Sequence, residues 1–543
     1  MLTRASSQER LDLLLSEESL PGIVWAIVDG NTCLAGAEGY AQLAHARRMT
    51  ANTKVQVGSV TKTLLALGVL QLVSTGQLAL DADVERMLPS LNWNNPWHDQ
   101  TPITVQHLLE HTAGLDNIRI WQFLNTKVTA DSPLTDAFPQ NQDDLLLART
   151  RPGSQYSYSN MGYAILGLVI EQVTSERYED YLARELLEPL GMHDSSFSLV
   201  TQEQDPRLAM GYLDGGIPQN SVPMFLRPAG QFTTTAKDMH LLLRFLLGSG
   251  SVNGVDLIAP RYLERLGRPS TTEAYLAGLS AGHGLALATR DRHGVVGECH
   301  PGTTFGFRAF LCLFRAERKA FFYAINADDE SANYERFTEY FIDRLNVAAV
   351  TEAPIVRVSA LSKYTGLYTL APPNMAEFAW LDWLFNSLWL SEHQQHIGLV
   401  MRSLQGSQRL LLPVENGLFR DAERRVPSHV FFGNGRTLLS NGLTTWERAS
   451  PIKLCLAWVS LVMGLLGLFY VFLRGFWLLL RGNSLAKSGI RMPWLCLLAL
   501  TLPVYLYTQQ SFLRFGEITA ASVLLAVLSG SLPIFLCFAL YRI

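Results

Sequence analysis

The sequence predicts an α+β chain in three parts. These are an antiparallel sheet with a helical region over residues 1–347, a small β-rich domain over 348–450 and three transmembrane helices over 451–543. Three observations carry this reading. Strand-like runs lie at both ends of the first part with helical patterns between them, short strand candidates separated by turn sequences fill the second, and charge-free runs of bilayer-crossing length fill the third.

In the first part, "GIVWAIVDG" reads as a strand, and "KVQVGS" is extended and alternating. "TKTLLALGVLQLVSTGQL" has apolar residues at helical spacing with Gly76 as its stop. "MGYAILGLVIEQVTSERYEDYLARELLEPLGM" reads as two helices ended by Pro189 and Gly191. "FRAFLCLFR" and "KAFFYAINA" are strands joined by the charged turn "AERK". Strands contributed by the two termini are expected at the edges of the sheet.

In the second part, "ENG", "GNGR" and "SNG" mark turns between short strands. "FAWLDWLFNSLWL" interrupts them as an aromatic helix, which Asp382 and the lack of basic residues assign to packing and not to a membrane surface. The third part contains Leu454–Leu473, Met492–Leu513 and Ile518–Tyr541. Its first loop carries Arg474, Arg481, Lys487 and Arg491 and no acid, the second only Arg514 and Glu517, and Arg542 closes the chain. By the positive-inside rule, the first loop and the C-terminus are cytoplasmic and residues 1 to 450 lie on the extracytoplasmic side. The N-terminal stretch holds Arg4, Glu9, Arg10 and Asp12 where a signal peptide has an apolar core, which leaves a start upstream, export by the first membrane helix or an inverted topology, with a missing or unrecognised signal the favoured expectation.

A net charge of −4 gives no reason to expect nucleic acid. Of six cysteines, Cys455, Cys496 and Cys537 fall in the membrane helices. Cys33, Cys299 and Cys312 show no C-x-x-C pairing, so neither a disulfide framework nor a zinc ribbon is indicated and the redox compartment stays open.

Three serines stand three residues before a lysine, the spacing that puts hydroxyl and amine on one helix face: Ser59 with Lys62, Ser450 with Lys453 and Ser484 with Lys487. Ser450 abuts a membrane helix and Ser484 lies in a membrane loop. Only Ser59 follows a strand and opens a helix within a domain able to build a pocket. "GLSAG", around Ser280, spells a nucleophile elbow but lacks the strand and helix that the elbow needs, and reads as a glycine-rich turn.

Tyr158-Ser159-Asn160 sits between a Pro-Gly turn and a helix start. A tyrosine whose pKa an ammonium lowers can take and return the serine proton, and an asparagine amide can hold Lys62 and a substrate carbonyl. His300-Pro301-Gly302 precedes a strand, whose edge can pair with substrate and whose Thr303 N–H can join that of Ser59 as an oxyanion hole. His396-Ile397-Gly398 repeats the spelling without the strand and reads as surface. "ITVQHLLEHTAGL" contains His107, Glu110 and His111 as H-x-x-E-H, an inverted zinc-peptidase spelling. A zinc site would need a further ligand such as Glu171.

"SVTK", "YSN" and "HPG", in this order, together with "LLEHTAGL", "PGSQYSYSNMGYAILG", "LLEPLGMHDSSF", "GQFTTTAKDM" and "HPGTTFGFRA", resemble the serine β-lactamase-related superfamily. Within it the likeness is to the class C β-lactamase, D-alanyl-D-alanine carboxypeptidase and esterase group, over residues 18–345. The resemblance implies a β-lactamase/transpeptidase-like domain with Ser59 as acylated nucleophile, Lys62 as its general-base partner, Tyr158 as proton shuttle, Asn160 as the family asparagine, and His300 and Gly302 as the third motif. Many β-lactamases have Lys-Thr-Gly there, the lysine attracting a substrate carboxylate. His300 therefore points to a peptide, amide or ester in preference to efficient β-lactam turnover. A short "LSKYTGLY" segment followed by membrane helices also resembles bacterial members of the group. In that reading His107 and His111 cap and orient a short helix and Gly114 permits the turn after it.

The leading expectation is a hydrolase of the bacterial cytoplasmic membrane, without cofactor or metal, acting through an acyl-enzyme on a small-molecule or peptidoglycan-related substrate. Its partners are that substrate and the lipid bilayer; its oligomeric state is left open. An acyl-binding receptor with little turnover is the alternative, against which stands the lack of a recognisable cytoplasmic output domain. A zinc hydrolase is the third.

Overall fold

Strand Gly22–Asp29 is buried at seven of its eight positions because it runs through the middle of a sheet covered on both faces. It pairs antiparallel with Thr32–Gln42 on one side and Lys319–Ile325 on the other. The seven-stranded sheet runs Ala288–Arg292, Val295–Thr304, Phe307–Phe314, Lys319–Ile325, Gly22–Asp29, Thr32–Gln42 and Arg47–Arg48. The strands from the two ends of the domain therefore meet in its interior. The sequence places them at the edges; the unbroken apolar run of "GIVWAIV" is the pattern of a strand buried on both faces.

The structure, a computed structural model, describes residues 4–541 apart from 359, 396, 434 and 483–488. Ser484, Lys487, His396 and Arg542 lie outside the described residues. The chain divides into two compact units, one of residues 1–118 with 130–448 and one of residues 119–129 with 449–543.

In the first unit, helices Arg4–Glu17 and Glu335–Leu345 cover one face of the sheet. Leu11, Leu14, Leu15, Phe337 and Phe341 bury against Trp25, Phe310, Phe321 and Tyr323. Phe341 stacks on Phe321 at 5.5 Å and on Tyr323 at 5.6 Å between ring centroids. Val24, Ala26 and Val28 point the other way and are also buried, and helix Ala236–Leu246 packs against these strands. Cys299 and Cys312 stand directly opposite each other on neighbouring strands and are disulfide-bonded. The sequence shows no sign of this pair, because only the register of the two strands brings the sulfurs together.

Helix Thr61–Ser74 is buried from Thr61 through Val73, and helix Asn160–Thr174 packs against it. Following the sheet domain in the chain, Gly366–Leu370 through Thr445–Ala449 form a closed eight-stranded antiparallel barrel. Tyr368, Leu390, Leu399, Leu411, Phe419 and Leu439 fill its core. The predicted aromatic helix is half right: Ala379–Phe385 is helical, but Leu388–Glu392 is a barrel strand. Asp382 is buried in that helix and accepts from the Asn374 N–H and the Asn386 amide, which keeps its carboxylate satisfied.

Among the described residues, the second unit contains two helices long and apolar enough to cross a membrane, Pro451–Leu480 and Ala520–Tyr541. The expected middle span, Met492–Leu513, is instead two short helices, Arg491–Ala499 and Thr501–Thr508. Pro503 has no N–H to donate to the Ala499 carbonyl, so the ladder is interrupted where the helix changes. Segment Arg119–Thr129 belongs to this unit: the Gly516 N–H donates to the Leu124 carbonyl at 2.8 Å, and the Thr126 N–H to Glu517 at 2.8 Å.

Replacing Phe341 by Ala removes the ring on which the sheet aromatics stack. It should lower the unfolding free energy of the detergent-solubilised chain by about 3–5 kcal/mol in a urea titration.

Candidate active site

Strand Val55–Gln56 pairs with Thr233–Thr234, and after it the backbone turns at Gly58, with φ +50°, into a short 3-10 turn, Gly58–Val60, that runs into helix Thr61–Ser74. This local order of strand, turn and helix presents Ser59 at the helix start and puts Lys62 one turn later on the same face. Thr61 secures the turn: its hydroxyl donates to the Gly58 carbonyl at 2.6 Å and accepts from the Phe232 N–H at 3.1 Å.

The Lys62 side chain is fully buried. Its Nζ lies 3.0 Å from Ser59 Oγ, 2.7 Å from Asn160 Oδ1 and 2.7 Å from the Ala229 carbonyl. No carboxylate stands among these partners, and burial pushes the amine well below the ordinary lysine range. The three partners suit both protonation states. An ammonium donates to all three oxygens; a neutral amine donates to Asn160 and Ala229 and keeps its lone pair for the Ser59 proton. Charge can change here without any side chain moving.

Tyr158 Oη donates to Ser59 Oγ at 2.8 Å. Burial raises the phenol well above its usual pKa, with the Ser59 hydrogen bond opposing it only in part. This differs from the sequence-based expectation of a tyrosine acidified by the lysine. Lys62 Nζ does sit 5.0 Å from the Tyr158 ring centroid, but the burial that lowers the lysine also raises the tyrosine and keeps it a phenol. Asn160 opens helix Asn160–Thr174, capped by Ser159, whose Oγ accepts from the Gly162 N–H at 2.9 Å.

On the other side, strand Val295–Thr304 brings His300, Gly302 and Thr303 to the same place. A Cβ on Gly302 would lie 2.0 Å from the Val57 carbonyl oxygen, and one on Gly58 would lie 2.5 Å from the Thr303 oxygen and 2.6 Å from its nitrogen. The two backbones thus touch, and only glycine permits it. The Thr303 peptide lies next to the peptide that precedes Ser59. His300 is buried, with Nδ1 2.6 Å from the Pro301 carbonyl, and burial pushes it down to about 3, so the imidazole is neutral. The structure therefore brings together Ser59, Lys62, Tyr158, Asn160, His300, Gly302 and Thr303.

Several further groups complete the site. The Ala229 carbonyl holds Lys62, and Asn117 Oδ1 accepts from the Asn160 amide at 2.7 Å. His111, at φ +57°, takes the Ser159 N–H on Nδ1 at 3.1 Å and lies 4.4 Å from the Tyr158 ring centroid. His283 stands between the His111 and His300 rings, neutral, with burial pushing it down to about 4. A backbone carbonyl has no spelling in a sequence. Asn117 and His111 do carry a signal, since both belong to the "HTAGLDN" run.

The H-x-x-E-H spelling is not a metal site, because its side chains diverge. His107 accepts the Thr104 N–H in a helix capping box. Glu110 accepts from the Ser270 N–H, the Thr271 hydroxyl and the Gln106 amide, while His111 serves the Tyr158 loop. Glu171, the supposed further ligand, accepts the Tyr178 N–H. Among the described residues the only group of three or more acid, imidazole or thiol side chains whose ligand atoms all lie within 4.8 Å of one another is Asp83, Glu85 and His98, outside this motif. Ser280 lies in a loop after helix Glu273–Leu276, with no strand before it, and Ser450 is the N-cap of the long apolar helix.

This arrangement is that of a serine acyl-transfer site, and residues 8–340 match the Beta-lactamase family. The chain belongs to that family. Protein flp of Staphylococcus aureus (strain N315) is 26% identical over 404 residues, 72% of this chain and 76% of the relative. Penicillin-binding protein 4 of Amycolatopsis lactamdurans is 30% identical over 323 residues, 56% of this chain and 80% of the relative. The octameric penicillin-binding protein homologue from Pyrococcus abyssi shares the fold with a TM-score of 0.54 at 21% identity, over 82% of this chain and 99% of that one.

Gly302→Ala should part strand Val295–Thr304 from the Ser59 turn. A displacement of about 1 Å is expected to slow acylation of Ser59 by on the order of 100-fold, read as labelling of the folded protein by a fluorophosphonate, and the forced contact to lower stability by about 1–3 kcal/mol.

Proposed function

We propose that this chain is a membrane-anchored serine hydrolase that acts through an acyl-enzyme on an amide, a D-amino-acid peptide or an ester. The observation that carries the proposal is one hydroxyl held between a buried amine and a buried phenol: Ser59 Oγ is 3.0 Å from Lys62 Nζ and 2.8 Å from Tyr158 Oη. Family membership supports serine-hydrolase chemistry in general.

In the proposed mechanism Ser59 Oγ attacks the substrate carbonyl carbon as its proton passes to the neutral Lys62 amine. The N–H groups of Ser59 and Thr303 hold the oxyanion. Collapse of the tetrahedral intermediate breaks the bond to the leaving nitrogen or oxygen, which takes a proton from Tyr158. The proton that Lys62 took from Ser59 then passes to the Tyr158 phenolate, which leaves amine and phenol in their starting states. Water then attacks the acyl-enzyme with Lys62 again as base, and the acid is released. Asn160, fixed by Asn117, keeps the amine in place throughout.

The neutral His300 offers no charge to a substrate carboxylate, which favours amides, peptides and esters over efficient β-lactam turnover. Membrane attachment rests on the two long apolar helices, and the division into hydrolase domain, barrel and membrane region at residues 347 and 450 goes with it. Arg474, in the last two turns of the first long helix, with Arg481 and Arg491 just after it, favours a cytoplasmic end for that helix, hence a catalytic domain outside. The Cys299–Cys312 disulfide suits an oxidising compartment and supports the same orientation. A peptidoglycan-related substrate fits that location.

The test is a panel of chromogenic esters, D-alanyl peptides and a β-lactam. Wild type should turn over esters or peptides; Ser59→Ala should turn over none, and retained turnover in that variant contradicts the proposal. Lys62→Met should lower the acylation rate about 10²–10⁴-fold, the usual share of a general base. In the wild type the rate should climb with pH as Lys62 loses its proton, and level off well below the ordinary lysine value of about 10.4, because burial favours the neutral amine. The raised Tyr158 pKa predicts no alkaline fall in the range where an ordinary tyrosine ionises, near pH 10. A rise that only begins near pH 10 contradicts the neutral-amine assignment.

A further inference from the structure

The barrel reaches the catalytic tyrosine. A cavity of about 90 Å³ lies beside Tyr158, with Asn117 and Tyr156 on one side and the barrel residues Pro372, Leu443 and Thr444 on the other. Two barrel segments supply that wall: Ala371–Ala376, between the first barrel strand and its helical turn, and Asn441–Thr445, at the last hairpin.

Both segments are fixed. Arg149 Nη1 donates to the Pro373 carbonyl at 2.8 Å, while Nη2 donates to Ser157 Oγ at 3.0 Å and to the Leu115 carbonyl at 3.3 Å. The same guanidinium pairs with Asp116 at 3.2 Å, and Asp116 accepts the Ala376 N–H. One arginine thus ties the barrel to the Tyr158 loop and to the segment that carries Asn117. At the second point, Gly442 lies against Ala281 and Gly282, so closely that a Cβ there would meet the Ala281 oxygen at 2.1 Å. Asn441 Oδ1 accepts the N–H groups of Leu443 and Thr444 at 2.9 and 2.7 Å, which holds the turn that projects Leu443.

We propose that the barrel forms the wall of the leaving-group pocket and restricts that group to a small size. This rests on the reading of Ser59 as nucleophile and Tyr158 as the acid. Because Tyr158 hands its proton to the departing atom, the space beside the phenol is the space the departing group enters. A volume of about 90 Å³ is smaller than the roughly 150 Å³ of an apolar cavity that holds a benzene ring. A methoxy or small amine leaving group fits this space; a benzyloxy group exceeds it, and Leu443 is one of the residues that bound it. The acyl half of the substrate is not limited by this wall.

The test compares methyl and benzyl phenylacetate, which share an acyl group and have leaving alcohols of similar acidity, on the full-length protein in detergent. Wild type should show a kcat/KM at least 10-fold higher for the methyl ester. Leu443→Ala should reduce that ratio at least 5-fold through a gain on the benzyl ester, and Leu443→Trp should increase it. Opposite shifts from one position cannot come from unfolding. A methyl-to-benzyl ratio that stays the same in both variants overturns the proposal, as does an equal loss on both esters. Ser59→Ala separates the two claims: turnover that persists in it defeats the serine mechanism, whereas loss of turnover in it with an unchanged ratio in the Leu443 variants defeats only the barrel wall.

Discussion

The site depends on a lysine placed where an ammonium is costly. Lys62 is fully buried, and its three partners are a hydroxyl, an amide oxygen and a backbone carbonyl. A carboxylate within reach would favour the charged form and work against the base role proposed for this amine. Neutral acceptors instead satisfy the amine while leaving desolvation to set its proton affinity. Each remaining part of the site keeps one of those oxygens in position. The Gly58 turn aims Ser59, the capped helix start and Asn117 aim Asn160, and the short turn Arg227–Ala229 presents the Ala229 carbonyl.

The sheet earns its stability away from the chemistry. Its aromatic face, with Phe321, Tyr323 and Phe341, is packed by the terminal helices, while the Gly302 end of strand Val295–Thr304 stays free of side-chain bulk and lies on the Ser59 turn. A stiff strand pressed edge-on against a helix start fixes two peptide groups with no side chain between them. The Cys299–Cys312 bond ties the same strand to its neighbour one residue before His300. On the far side of Tyr158 the barrel is bound by Arg149, so the Tyr158 loop is tied to the barrel as well as to the rest of the first unit.

Much of this was legible in the sequence, for local reasons. Ser59 and Lys62 are one helical turn apart, Tyr158 and Asn160 flank a cap, and His300 and Gly302 open a strand-forming run, so short-range spelling reports short-range geometry. What needed the fold was whatever depends on register or on the backbone. The disulfide follows from which strand residues face each other, the Ala229 carbonyl has no residue signature, and the sheet centre was mistaken for its edge because pairing order is a property of the whole domain. Hydropathy alone suggested three long spans, where Pro503 divides the middle one. The H-x-x-E-H spelling misled for the converse reason: three residues correct in type point to three different places.

The central claim is that Ser59 carries the substrate's acyl group during turnover. Its most direct measurement is acid-quenched peptide mapping by mass spectrometry of the full-length protein mixed with an ester substrate. The account predicts a mass increase equal to the acyl group on the peptide that contains Ser59, rising and then decaying as substrate is used up. An adduct on any other residue, Ser280 included, or turnover in which no peptide gains the acyl mass, would contradict it.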